Sequence, residues 1–301
     1  MNMDDIYRRQ VTLLIRIMPS VFRIKDFAVH GGTAINLFYK NMPRYSVDID
    51  LTYIPITDRR TSIDVINTHL TQLKQMIERT VPGIKVVHKP DVLKLQCSYE
   101  GAMVKIEVNG TKRGIIGATG DHMLCARAQN EFQMGCKARI VSFSQLYGGK
   151  ITAALSRQHP RDLFDCKYME IDNFKDVKDG FMLCLLGSDK PIIESLRPNS
   201  IDQTEALEKQ FAGMSDVPFS YADYEDARIN LVKMVNDNLD SADKDFLLSF
   251  EVGNPIWNLC CAGDLSAYPS VRWKQQNIIK LKEINPQKHL DGINKLRESF
   301  S

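Results

Sequence analysis

No stretch of this 301-residue chain approaches the roughly 18 consecutive apolar residues that a membrane-spanning helix requires. The N-terminal segment MNMDDIYRRQVTLLIRIMPS lacks the positive start and unbroken apolar run of a signal peptide. Its acids, arginines and broken apolar pattern predict an amphipathic helix, and a cytoplasmic location is expected. Paired cysteine motifs are missing too: Cys97, Cys125, Cys136, Cys166, Cys184, Cys260 and Cys261 contain no CxxC. An odd count with one adjacent pair fits neither a disulfide framework nor a zinc site. His122 and Cys125 have ligand-like spacing but no second pair, so packing accounts for them better. There is no internal repeat, no low-complexity tract and no strong net charge, the formal value being +2.

What is present is an ordinary globular composition, 44% hydrophobic and 25% charged, long enough for one large domain or two smaller ones. Charge is unevenly distributed. Residues 200–251 hold 12 acids against 4 Lys/Arg (net −8), and residues 271–301 hold 7 Lys/Arg against 3 acids (net +4). Such asymmetry marks either a contact surface or solvated helix faces.

Phe27–His30 reads as a short buried strand ending at Gly31-Gly32, where the backbone can turn tightly. Thr33 is placed to cap a helix through Ala34–Asn41, which Met42-Pro43 breaks. From Val47 to Tyr53 the pattern alternates, with Val47, Ile49 and Leu51 on one face and Asp48 and Asp50 on the other. Helical spacing returns over residues 61–80. Lys94–Tyr99 and Met103–Asn109 read as strands, the second placing Lys105 and Glu107 opposite Val104, Ile106 and Val108. Ile140-Val141 is a further extended piece. From Ser144, a candidate cap, the texture is helical. The expected fold class is therefore α+β, a mixed-sheet core over residues 1–142 and a mainly helical region over 143–301.

The chemistry concentrates in Gly31-Gly32-Thr33 and Arg44-Tyr-Ser46-Val-Asp48-Ile-Asp50. Side chains two apart on a strand leave the same face about 7 Å apart. Two carboxylates so placed can hold Mg²⁺ or Mn²⁺ against substrate phosphates. A glycine turn opening a helix offers unpaired N–H groups to the same phosphates. Glu107, on a neighbouring alternating strand, is the candidate third acid and proton acceptor. Ser46 precedes the acids. Arg44 can pair with phosphate or with a core acid, and His30 reads better as a hydrogen-bonded core residue than as a catalytic one. A second cluster runs Gly148-Gly149-Lys150…Arg157…Pro160-Arg161-Asp162-Leu-Phe-Asp165. Two glycines inside a helix cost about 1 kcal/mol each relative to Ala, which implies close backbone packing or ligand approach. Lys150 is a candidate triphosphate cation and Asp165 a candidate site acid. Arg161 and Asp162 serve the site equally well as partners in an ion-pair lattice.

GGTAINLFYKNMPRYSVDIDL resembles the glycine turn and double-aspartate signature of the polymerase-β-type nucleotidyltransferases. Together with LYGGKITAALSRQHPRDLFD it is similar to the AbiEii/AbiGii toxin family, over about residues 20–170. The resemblance implies a nucleotidyltransferase that uses an NTP and acts as the toxin of a type IV toxin–antitoxin or phage-defence pair, with RNA (tRNA in some members) as acceptor and a cognate antitoxin as partner. By motif position it implies metal-binding roles for Asp48 and Asp50. It likewise implies phosphate-turn roles for Gly32 and Thr33, beside the turn candidate Gly31, a lysine role for Lys150 and a late-acid role for Asp165. Lys105, Lys112, Arg113, Arg127, Lys137 and Arg139 are the candidate RNA-backbone contacts. The alternatives are transfer to a small molecule such as an antibiotic, transfer to a protein side chain, or a non-catalytic nucleotide-binding module.

Overall fold

Alternating apolar residues build the first half of the chain around a seven-stranded mixed sheet. The strands are β1 (Phe27–His30), β2 (Asp48–Tyr53), β3 (Lys85–Lys89), β4 (Lys94–Tyr99), β5 (Ala102–Val108), β6 (Gly120–Met123) and β7 (Lys137–Ile140), in spatial order β3-β4-β5-β2-β1-β7-β6. The computed structural model describes residues 3–171 and 173–301. Two compact units emerge: Met1–Ser142 with Glu208–Pro218, and Phe143–Leu207 with Phe219–Ser301.

In the first unit β2 lies between β1, to which it is antiparallel, and β5, to which it is parallel. Val29, Ile49, Leu51, Leu95, Val104 and Ile106 form the buried face. Helices α1 (Met3–Arg23) and α3 (Arg59–Thr80) pack against the sheet. In α3, Ile66, Leu70, Leu73 and Ile77 are fully buried, each contributing about 1.5–3 kcal/mol relative to exposure. Asp58 caps α3 by accepting from the Thr61 N–H at 3.0 Å, and hydrogen bonds from the Thr61 side chain and backbone hold its carboxyl below the usual range.

Four details depart from the sequence expectations. The helix after β1 begins at Gly31, as α2 (Gly31–Ala34), so Thr33 is an interior residue and not the cap. The chain continues as a wider π-type turn over Ile35–Tyr39. The edge strands β3 and β6 carry too little alternation to be read in advance. Ser144 is likewise no cap, because helix α5 (Phe143–Arg157) begins before it.

The second unit is helical. Pro160 opens α6 (Pro160–Lys167), preceded by α4 (Ala126–Phe132) in the first unit and followed by α7 (Lys175–Leu186). Gly148 is in α5 because α7 crosses there. A Cβ at Gly148 would stand 2.1 Å from the Phe181 nitrogen, and one at Gly180 would stand 2.1 Å from the Ser144 carbonyl oxygen. Ser144 Oγ accepts from the Gly180 N–H at 2.8 Å across the same crossing. Gly149 meets only Cys184 Sγ, at 3.5 Å. Of the two readings of the glycine pair, backbone packing accounts for Gly148. The acid-rich stretch supplies caps: Asp223 and Asp240 close capping boxes at residues 220–223 and 240–243.

Candidate active site

The helix-terminus turn and β2 are locked together. Gly31 has φ +73, and a Cβ there would fall 2.5 Å from Asp50 Oδ2. Only glycine both adopts that conformation and leaves the carboxylate its space. At Gly32 an added Cβ would meet the Arg44 guanidinium at 2.8 Å and Ser46 Oγ at 3.0 Å. Thr33 Oγ1 donates to the Asp48 carbonyl oxygen at 2.5 Å and lies 3.0 Å from Ser46 Oγ. Thr33 and Ser46 thus fasten the turn to the start of β2, and Arg44, buried, fills the space beside Gly32.

Strand pairing then aligns the charges. Residues directly opposite one another share a face, and four strands line up His30, Asp50, Glu107 and Lys94 in one row. The neighbouring row holds Asp48, Lys105 and Gln96. Asp48, Asp50 and Glu107 therefore share the less buried face of the sheet, with Asp50 and Glu107 one strand spacing apart, about 5 Å. Glu107 is not idle: its Oε1 lies 2.7 Å from Lys94 Nζ.

Lys94 escapes motif reading but not register counting. Glu100 (φ 46) and Gly101 (φ 79) form a two-residue turn of the kind that joins hairpin strands. Counting back from Tyr99↔Ala102 pairs Lys94 with Glu107.

The chemistry of this donor set suits a divalent cation that arrives with phosphate. Mg²⁺ is usually bound by one or two carboxylates, the rest of its shell being water and substrate oxygens. Asp48 and Asp50 could provide those two. Among the described residues no group of three His, Cys, Asp or Glu side chains forms a metal-holding cluster by itself. His122 packs its ring on Tyr39 at 4.4 Å. Burial pushes the Cys97 and Cys136 thiols up to about 12, where a thiolate ligand is disfavoured.

In the second unit Lys150, Asp162 and Asp165 form a buried ion triad. Lys150 Nζ lies 2.9 Å from Asp162 Oδ1 and 2.8 Å from Asp165 Oδ2, with Lys150 and both acids at most 6% exposed. Arg157 Nη2 reaches Asp162 Oδ2 at 2.8 Å. Burial acts to raise the Asp162 carboxyl, but Lys150 and Arg157 outweigh it and hold the carboxyl below its ordinary range. Removing one partner of such a group costs about 3–5 kcal/mol, because a buried charge is stranded. The lattice foreseen for Arg161 and Asp162 takes in Asp162, with Lys150 at its centre, but not Arg161. Among the described residues the Arg161 guanidinium has no ion-pair partner; its backbone N–H donates to His159 Nδ1 at 3.2 Å.

The basic residues proposed for RNA sort unevenly. Arg113 is only 4% exposed and donates to the Asp58 carbonyl oxygen, so it is withdrawn as a backbone contact. Arg127 pairs with Asp216 and Glu131. Arg139 lies over the Phe22 ring and donates to the Phe22 and Ile24 carbonyls. Lys112 and Lys137 are exposed and Lys105 half-buried. A cavity of about 450 Å³ bounded by Arg59, Ile63, Asn67, Leu93 and Val108 includes neither aspartate.

A mixed sheet with paired aspartates beside a glycine turn defines the class: a nucleotidyltransferase core with a helical C-terminal region. The chain matches the family model "Nucleotidyl transferase AbiEii toxin, Type IV TA system" over residues 12–244 and belongs to that family. Among solved structures it is similar to MenT4, a nucleotidyltransferase toxin from Mycobacterium tuberculosis H37Rv. The TM-score is 0.59 at 12% identity, covering 92% of this chain and 95% of that one, a likeness of fold. No curated protein matches it significantly. Among the described residues no helix is long and apolar enough to cross a membrane.

Proposed function

We propose that this enzyme transfers a nucleoside monophosphate from an NTP to a hydroxyl of RNA, with tRNA the favoured acceptor, using Mg²⁺ or Mn²⁺. The observation that carries the reading is the placement of Asp48 and Asp50 on one sheet face, against the Gly31-Gly32 turn and in register with Glu107. Asp48 and Asp50 would hold the cation, which supplies charge neutralisation on the phosphates. The Gly31-Gly32 turn would face the phosphates, where backbone N–H groups at a helix start favour anions, with Thr33 and Ser46 holding the turn against β2.

In the reaction the acceptor oxygen forms a bond to the α-phosphorus as the bond to pyrophosphate breaks. The hydroxyl proton passes to Glu107, and the electron pair leaves with pyrophosphate. Lys150 and Asp165 are proposed for the reaction on their motif positions, and Arg161 as a nucleotide contact. A cognate antitoxin, a cytoplasmic setting and a role in antiviral defence are proposed with it, on the toxin–antitoxin character of the family. RNA is supported by the exposed Lys112 and Lys137, whose contacts would weaken with salt.

The test is incubation with each labelled NTP, Mg²⁺ and total RNA. Label is expected in RNA and lost in Asp48→Ala. Label in protein or small molecules instead would move the acceptor, and no transfer to any fraction would overturn the enzyme reading.

A further inference from the structure

We propose that Lys94 binds the triphosphate tail of the nucleotide and is held by Glu107 until the nucleotide arrives; the proposal rests on the transferase reading above. The row across the sheet extends one strand further, since Lys89 on β3 is directly opposite Lys94. From the centre outward the row runs His30, Asp50, Glu107, Lys94, Lys89. Two acids are followed by two cations on a single face.

That order suits a metal-bearing polyanion. Asp48 and Asp50 take the end that carries the cation, and the lysines lie where the tail extends. Asp50 and Lys94 are two strand spacings apart, about 10 Å, a gap that a polyphosphate and a flexible four-carbon lysine stem cover together. Lysine also serves as a compact point charge for phosphate.

The present pairing makes sense as a resting state. Asp50 and Glu107 are like charges side by side, an unfavourable arrangement that Lys94 relieves from the other flank. The Lys94 and Glu107 side chains are 27% and 39% exposed. At that exposure the pair contributes little to stability and can exchange partners. A polyphosphate carries several charges where Glu107 carries one, so Lys94 moves to it. The same move releases Glu107 to accept the proton assigned to it above.

The experiment measures binding of inorganic tripolyphosphate in EDTA, and of each NTP with Mg²⁺, by calorimetry. Lys94→Met is expected to weaken both at least tenfold, and Lys94→Arg to stay within threefold of the parent. Glu107→Gln frees the lysine and is expected to tighten metal-free tripolyphosphate binding several-fold, a gain that Lys94→Met/Glu107→Gln abolishes. Lys94→Gln replaces Lys94→Met if the latter melts early. Tripolyphosphate and NTP binding unchanged in Lys94→Met would overturn the assignment while leaving the transferase reading intact. So would a Lys94→Met loss confined to a short RNA oligonucleotide. A wild-type protein that binds no NTP would overturn that reading and the assignment together.

Discussion

The two units carry the same kinds of charged residue in opposite conditions. On the open sheet face, Asp48, Asp50 and Glu107 are brought side by side by strand register, and the cation beside them, Lys94, is half-exposed. In the helical unit, Asp162 and Asp165 are also side by side, but Lys150 is buried between them and the charges are matched inside the fold. The first arrangement keeps its charges on a part-exposed face. The second is held together by the loss that any member's removal would cause. Spacing in the chain tells which side chains share a face. Packing decides whether their charge is already answered.

The sharpest way to break this comparison is to neutralise the acids of each unit in turn. Asp48→Asn/Asp50→Asn is expected to lower nucleotide transfer by on the order of 10³-fold with little change in melting, because both sit on the less buried face. Radiolabel transfer and calorimetric melting check the two halves. Asp162→Ala is expected to do the reverse first: a stability loss of about 3–5 kcal/mol by urea unfolding, since Lys150 keeps one carboxylate and Arg157 loses its own. A small stability change in Asp162→Ala would remove the contrast.

The adjacent glycines sharpen the helical side. Gly148→Ala drives a methyl into the α7 backbone and is expected to cost at least about 1–3 kcal/mol. Gly149→Ala meets only a sulfur at contact distance and is expected to be neutral or to gain up to about 1 kcal/mol from helix propensity. Equal effects would mean the crossing is not as close as described.

The smallest effect is in pH. Asp162 has a lowered carboxyl in the folded protein, so its contribution is present above the ordinary carboxylate range and is lost as pH falls through the depressed folded value. Glu251 is pushed up by burial, with Lys274 and His289 opposing. It stabilises below its ordinary range, and that contribution is lost as pH rises through the folded value. Urea unfolding from pH 3 to pH 8 is expected to give a flatter acid limb in Asp162→Asn. In Glu251→Gln the gain is expected only at the upper end.

Much of the sheet side is legible in the chain. The alternation in 47–53, 94–99 and 103–109 yields β2, β4 and β5, and with them the face of Asp48, Asp50 and Glu107. Even Lys94↔Glu107 is countable from the Glu100-Gly101 turn. The edge strands are not legible, because GDHM and KVVHK are ordered by one neighbour each and not by an apolar pattern of their own. The partners of Lys150 are half legible: the i, i+3 spacing puts Asp162 and Asp165 together, but nothing in it says that α5 buries a lysine between them. Gly148 announces a close approach, whereas Gly180, on the far side of the crossing, has no local signal. Arg113 reads as a surface cation and is buried, because a loop's burial depends on what folds over it.

The most direct measurement is Mn²⁺ uptake by electron paramagnetic resonance, with and without a non-hydrolysable NTP. If Asp48 and Asp50 hold the nucleotide's cation, the wild type takes up Mn²⁺ when the NTP is present, and Asp48→Asn/Asp50→Asn, folded and melting normally, does not. Equal uptake by that double variant would contradict the account.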